Sequence, residues 1–177
     1  VHIMTKKILV LGSGAREHSI IRAIERSSKP NKIFCIASNM NPGIANLCDE
    51  FIIDDFNNTQ IVTNYATKKN ITLAIIGPEN PLQKGIADAL WNEKIKVVGP
   101  KKELAQIETS KAFTRNLLKK HKISGGPKYK TFDSMVGVLS FLESLGENYV
   151  VKFDGLAGGK GVKVSGDHLA SHKEALT

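Results

Sequence analysis

Several absences narrow what this chain can be. No apolar run approaches the length of a bilayer span, and the first residues show no signal-peptide hydrophobic region, so a membrane protein and a secreted one are both disfavoured. Cysteines number only two, Cys35 and Cys48, with no Cys-x-x-Cys and no histidine at ligand spacing. They are read as reduced, packed thiols of a cytoplasmic protein, and no zinc site is expected. There is no internal repeat and no low-complexity tract. What is present is ordinary for a soluble globular protein: 41% hydrophobic and 24% charged residues in 177, enough for one solid core or two small ones. Val1-His2-Ile3 precede Met4 and are read as an expression remnant.

The net charge of +8 is unevenly placed. Between Lys94 and Lys130 eleven Lys/Arg face only Glu103 and Glu108, so the rest of the chain is almost neutral. Within that block only Phe113 and Tyr129 could stack on bases. The block is therefore read as a solvated helix face beside an anionic small-molecule site, and nucleic acid ranks last among the partners.

The first hundred residues alternate strand and helix patterns, which predicts an α/β fold with a parallel sheet covered by helices. Ile8–Leu11, Ile33–Ile36, Phe51–Ile53, Leu73–Ile76 and Val97–Val98 read as strands. Helices are expected from about Arg16 with Ile20, Ile21 and Ile24 inward, and over Thr59–Lys69 behind an Asn57/Asn58 cap. Another follows Asn80 as cap with Pro81 first in the helix, packed through Leu82, Ile86, Ala89 and Leu90. After Pro100 two basic helices are expected, Glu103–Glu108 and Ser110–His121, the latter turning Ala112, Phe113, Leu117 and Leu118 inward. Beyond the break at Ser124–Pro127, Tyr129–Phe132 reads as a short strand. Asp133 then reads as the cap of a helix using Val136, Leu139, Phe141 and Leu142. Ala170–Leu176 reads as one more helix.

Three loops carry candidate chemistry. Gly12-Ser13-Gly14-Ala15-Arg16-Glu17-His18 follows the first strand; Gly12 gives a tight turn, and Gly14 lets an anion approach the next helix. It is no dinucleotide fingerprint, because Glu17 stands where Gly or Ala belongs and the second strand ends in Ala37-Ser38-Asn39 without an acid. A phosphate from a small substrate is the simplest occupant, and a plain tight turn is the alternative. Gly77-Pro78-Glu79-Asn80 ends a parallel strand, where open α/β sheets place ligands; Glu79 could accept bonds from sugar hydroxyls or simply favour a helix start. Asn41-Pro42-Gly43 lies on the same edge. The third loop, Asp154–Gly161, sits between the apolar runs Val150–Val151 and Val162–Val164. A P-loop is excluded, since Asp154 occupies its first glycine position and Gly161 follows the lysine where a hydroxyl is needed. The loop alone fits equally a flap over nucleotide phosphates and an ordinary glycine-rich hairpin.

Taken together, Gly12–His18, Gly77–Leu82, Glu108-Thr109-Ser110-Lys111-Ala112-Phe113 and Val151–Val162 occur in an order and spacing that resembles the phosphoribosylamine–glycine ligase (glycinamide ribonucleotide synthetase) family of the ATP-grasp superfamily. The resemblance runs from about Lys6 to the end. It implies that ATP phosphorylates the glycine carboxylate and that the amine of 5-phosphoribosylamine attacks the acyl phosphate, giving glycinamide ribonucleotide, ADP and phosphate. It implies that Lys111 and Lys152 reach ATP phosphates and that Gly155, Leu156, Ala157, Gly158, Gly159, Lys160 and Gly161 form the mobile loop above them. It assigns Gly12, Ser13, Gly14, Arg16, Glu17, Gly77, Pro78 and Glu79 to the substrate-binding domain, with phosphate at the glycine turn and ribose at Glu79.

The domain layout it implies is a Rossmann-like substrate domain over 4–100, a basic linker over 101–123 and the first part of an ATP-grasp domain over 124–177. ATP and Mg²⁺ are the implied cofactors; no Mg²⁺ ligand is assigned in this chain, and those ligands are expected in a carboxy-terminal part that has no counterpart here. No catalytic side chain is assigned. The chain alone is expected to be inactive. The alternatives are a non-catalytic phosphate- or nucleotide-binding module and another ATP-grasp ligase of purine synthesis. Departures from the family pattern are Ala15 for glycine, Phe153 for a small residue, Gly158 for alanine, and an altered Asn39–Gly43 loop.

Overall fold

A computed structural model describes residues 4–176; the reading of Val1-His2-Ile3 as a remnant lies outside them. The chain divides into two compact units, Val1–Gln106 and Ile107–Thr177. In the first unit, β1 (Lys6–Leu11), β2 (Asn31–Ala37), β3 (Glu50–Ile53), β4 (Leu73–Ile76) and β5 (Lys96–Val98) form one sheet of order β3-β2-β1-β4-β5. Every pairing is parallel, with Leu9 opposite both Phe34 and Ala74. Between them run α1 (Ala15–Glu25), α2 (Pro42–Ala45), α3 (Thr59–Lys68), α4 (Glu79–Gln83) and α5 (Ile86–Asn92). The α/β expectation is met.

Strand alternation sorts the core onto the two faces of the sheet. Leu9, Leu11, Phe34 and Ile36 pack with Val62 and Ala66 of α3 and with Ile86 and Leu90 of α5. Val10, Cys35 and Ala37 pack with Ile21 of α1 and Ile44 of α2. Each fully buried aliphatic side chain contributes about 1.5–3 kcal/mol, so a sheet covered on both faces is the stable layer for these strands. Asn58 caps α3 by accepting the Gln60 and Ile61 amides. Tyr65 and Lys69 both donate to Glu50, at 2.9 and 2.6 Å, and tie the end of α3 to β3. The Lys69 bond, helped by Tyr65 and opposed by burial, holds the Glu50 carboxyl below its ordinary range. Cys35 is buried and Cys48 half-buried, both as free thiols. A hydrogen bond with Cys48, with burial, pushes the Cys35 thiol up; the same bond, against burial, holds Cys48 down.

Two expectations in this unit are corrected. The helix after β4 starts at Glu79, behind Pro78 as cap, so Pro81 sits in its first turn. Amides of a first turn have no acceptor within the helix, so a proline there removes nothing needed. The helix then breaks at Gly85, whose φ of +83° a helix cannot use, and restarts as α5. Of the α1 residues expected inward, Ile21 is buried and Ile24 packs half-buried against the same core, while Ile20, also half-buried, lines with Ile24 a cleft of about 440 Å³.

The second unit holds α7 (Lys111–Lys120), α8 (Val138–Leu145) and the antiparallel hairpin of β6 (Val150–Lys152) and β7 (Val162–Val164); α6 (Lys102–Thr109) precedes α7. Its small core gathers Leu142, Tyr149 and Leu169 with Val138, Leu145 and Val151. Helix α7 has no fully buried residue, so Ala112, Phe113, Leu117 and Leu118 are turned inward only halfway.

Three further expectations fail here. Tyr129–Phe132 forms no strand; it has no ladder partner among the described residues, and Tyr129 instead donates to Asn116 of α7 at 3.0 Å. Asp133 caps nothing, because Gly137 at φ +79° blocks the helix until Val138. The inward stripe is then buried Leu142 with half-buried Val138 and Leu145, at helical spacing, and Val136 is left 84% exposed. Ala170–Leu176 is a turn ending in a single 3-10 turn, Glu174–Leu176. There the Ser171 hydroxyl and the Glu174 carboxylate accept the Glu174 and Ala170 amides, which competes with helical pairing. Among the described residues no helix is long and apolar enough to cross a membrane.

Candidate functional site

Two sets of candidate residues lie one in each unit, and each is built by its own local physics. In the first unit the loops after β1, β2 and β4 meet at the carboxyl edge of the sheet, next to the strand-order reversal between β1 and β4. The Gly12 amide donates to Ile36 and the Gly77 amide to Leu11, so both loops leave the sheet in register. Ser13 joins the loops after β1 and β2. Its hydroxyl accepts the Ser38 amide at 2.8 Å and lies 3.0 Å from the Ser38 hydroxyl, and its carbonyl accepts Asn41 Nδ2 at 2.9 Å. Arg16, in the first turn of α1, donates to the Gly77 carbonyl and stands 3.8 Å from Glu79 Oε2. Thus Gly12, Ser13, Gly14, Arg16, Glu17, Gly77, Pro78 and Glu79 are brought together.

Glu17 occupies an unexpected place among them. Its side chain is only 5% exposed, and Oε2 accepts the Gly14 amide at 2.7 Å. That bond satisfies the Gly14 amide from within the protein. A Cβ on Gly12, which has φ +128°, would lie 2.5 Å from Glu17 Cγ, and one on Gly77 would lie 2.6 Å from its Cδ. These two glycines therefore make room for a carboxylate of the protein itself. His18 is packed in the same way over Gly43, where a Cβ would come within 2.6 Å of the ring.

In the second unit the glycine loop closes the β6–β7 hairpin. The Phe153 amide donates to Gly161 and the Lys160 amide to Ala157, at 2.9 Å each, which folds the loop back on itself. Gly155, Gly158 and Gly159 have φ of +121°, +54° and +79°, and nothing stands within 4 Å of the positions their side chains would take. Backbone open on that side can approach an anion closely. Lys111 donates to the Gly155 carbonyl at 2.7 Å, so lysine and loop are in contact. Leu156 and Ala157 are half-buried; Lys152 and Lys160 are exposed, as is Phe153 at 78%.

Sequence reasoning missed Asp154. Its carboxylate accepts the Ser110 hydroxyl at 2.9 Å and the Ala112 amide at 3.2 Å. Burial raises its pKa, but the Ala112 amide, the Ser110 hydroxyl and the Lys111 amide and charge outweigh burial and leave it lowered. The only signal was Ser110 as a cap ahead of Lys111; nothing marked the acid 44 residues on as its partner. Among the described residues no group of three or more His, Cys, Asp or Glu could hold a metal ion.

Comparison with known proteins adds what the geometry cannot. Residues 6–108 match the family model described as phosphoribosylglycinamide synthetase, N domain, and residues 109–177 match phosphoribosylglycinamide synthetase, ATP-grasp (A) domain. The chain is 46% identical over 169 residues to a phosphoribosylamine–glycine ligase of Methanosarcina barkeri, covering 96% of this chain and 39% of the relative. It is 45% identical over 172 residues to that of Methanosarcina acetivorans, covering 97% and 39%. The chain thus spans about two fifths of the length of the curated relatives it matches. Among solved structures, phosphoribosylglycinamide synthetase from Anaerococcus prevotii superposes with a TM-score of 0.64 at 19% identity, covering 98% of this chain and 41% of that one. The biotin carboxylase domain of Hydrogenobacter thermophilus 2-oxoglutarate carboxylase, an ADP complex, superposes with a TM-score of 0.75 at 17% identity, covering 93% and 38%. These structural likenesses establish the fold.

Proposed function

The chain belongs to the phosphoribosylglycinamide synthetase family, and from that premise we propose that it contributes to the ATP-dependent ligation of glycine to 5-phosphoribosylamine, yielding glycinamide ribonucleotide, ADP and phosphate in the cytoplasm. The observation that carries the reading is the tandem match of both family domains across residues 6–177. A free carboxylate has no adequate leaving group, and phosphorylation of glycine supplies one. The protein's share in such a transfer is positioning and charge neutralisation.

In this reading residues 4–100 bind phosphoribosylamine, 101–123 link, and 124–177 begin the ATP-grasp domain. The cradle of Gly12, Ser13 and Gly14 takes the substrate phosphate at the start of α1. Gly77 and Pro78 shape the neighbouring loop, Glu79 accepts ribose hydroxyls, and Arg16 adds positive charge beside them. Glu17 serves from behind, holding the cradle open. Lys111 and Lys152 neutralise ATP phosphates, and Gly155, Leu156, Ala157, Gly158, Gly159, Lys160 and Gly161 cover them with backbone amides. Mg²⁺, held by carboxylates together with substrate phosphates, would take its protein ligands from the carboxy-terminal part of the enzyme.

The test is ADP release by the full-length gene product. Release that requires both glycine and phosphoribosylamine is expected. Release driven by another carboxylate or amine would point to a different ATP-grasp ligase. The 177-residue chain, at 39% of its relatives' length, is expected to bind without turning over.

A further inference from the structure

The first residue of the glycine loop is engaged by α7. One oxygen of Asp154 takes the Ser110 hydroxyl at 2.9 Å and the other takes the Ala112 amide at 3.2 Å. The carboxylate therefore sits at the N-terminal end of α7, where unpaired amides and the helix dipole favour an anion. One residue further on, the Gly155 carbonyl accepts Lys111 Nζ at 2.7 Å. These bonds close a ring that runs from Asp154 through the first turn of α7, along the Lys111 side chain, to Gly155 and back. A lysine free in solvent samples many rotamers, and this ring selects the one that holds its ammonium at the loop. The ring also ties down the acid nearest the loop. An unpaired carboxylate there would repel a polyphosphate, whereas this one is turned toward the Ser110 hydroxyl and the Ala112 amide at the start of α7.

We propose that Asp154 is a positioning residue. Anchored on α7, it fixes the start of the loop and presents Lys111, which exchanges the neutral Gly155 carbonyl for a charged phosphate oxygen when a nucleoside triphosphate enters. An ionised acceptor makes the stronger bond, so the exchange runs toward the ligand. The proposal rests on the reading that Lys111 and the glycine loop meet ATP phosphates.

The experiment uses the full-length gene product as wild type, Asp154→Asn, Lys111→Met and the double variant. Amide hydrogen exchange over residues 155–161 is followed without nucleotide, and binding of a non-hydrolysable ATP analogue is measured by calorimetry. In Asp154→Asn the loop amides are expected to exchange faster, and affinity to fall about tenfold. The double variant is expected to bind no more weakly than Lys111→Met, because the aspartate acts through the lysine. Ser110→Ala, which leaves the amide bond in place, is expected to lie between wild type and Asp154→Asn. Unchanged loop exchange in Asp154→Asn, or additive losses in the double variant, overturns the proposal. An affinity that Lys111→Met leaves intact overturns the nucleotide reading and the exchange step with it. That outcome is told apart because Asp154→Asn would still loosen the loop.

Discussion

The carboxylate of Glu17 in α1 fills the space in which a side chain on Gly77, in the loop after β4, would begin. The first turn of α1 thereby holds the loop after β4 twice: Glu17 packs against the backbone of Gly77 while Arg16 donates to its carbonyl.

Gly77→Ala is therefore expected to destabilise the first unit by about 2 kcal/mol, the usual cost of overpacking a filled interior. Urea unfolding measures it. Adding Glu17→Ala should cost less than the sum of the two single changes, since it removes the overlapping group. A fully stable Gly77→Ala would show that the loops are not wedged apart by Glu17.

The two thiols should react in a fixed order. Cys48 is half-buried with its pKa held down by the bond from Cys35, whereas Cys35 is buried and held up. Thiolate is the nucleophile, so a disulfide reagent at neutral pH is expected to label Cys48 first and Cys35 only on unfolding. Peptide mapping after brief labelling checks the order, and equal labelling would contradict it.

Glu50 gives a pH dependence of definite sign. Its folded pKa lies below the unfolded one, chiefly through Lys69. Its stabilisation is thus fully present above the ordinary carboxylate range and is lost as pH falls through the folded value. The pair is partly exposed, so the effect is small, about 1 kcal/mol or less. Urea stability of wild type should exceed that of Glu50→Gln at pH 7, and the gap should close in acid. A gap that widens in acid would reverse the assignment.

Lys152→Ala in the full-length protein should lower ATP-dependent kcat/KM about a hundredfold, the scale of losing one electrostatic donor to a developing charge. Its ammonium is exposed at the end of β6, beside the loop, so the fold should survive, and circular dichroism would confirm that. A near-normal rate would remove Lys152 from the phosphate site.

The five strands of the first unit were legible because each is a continuous apolar run closed by a turn residue. The break at Gly85 was not, since a lone glycine is tolerated within helical periodicity and only its φ of +83° reveals the restart. Between Tyr129 and Val136 apolar residues suggested elements that tertiary packing declines to build; α8 buries Leu142 and half-buries Val138 instead. The glycines of both candidate loops stood out in the sequence. Their partners were not legible as partners: Glu17 was read as a substrate-binding residue, whereas it packs behind the glycines, and Asp154 meets Ser110 only through the fold.

The placement of β1 between β2 and β4 has a consequence for how the protein comes into being. Arg16 and Gly77 are 61 residues apart in the chain, so the loop after β1 leaves the ribosome long before its counterpart after β4. Until that crossover docks, the glycine turn has no opposite wall. The meeting of these two loops is therefore among the last features to form, assembled by non-local pairing that folds slowly. A ligand that grips both loops acts as a cross-brace on the central strands, and its binding energy adds to the stability of the sheet itself.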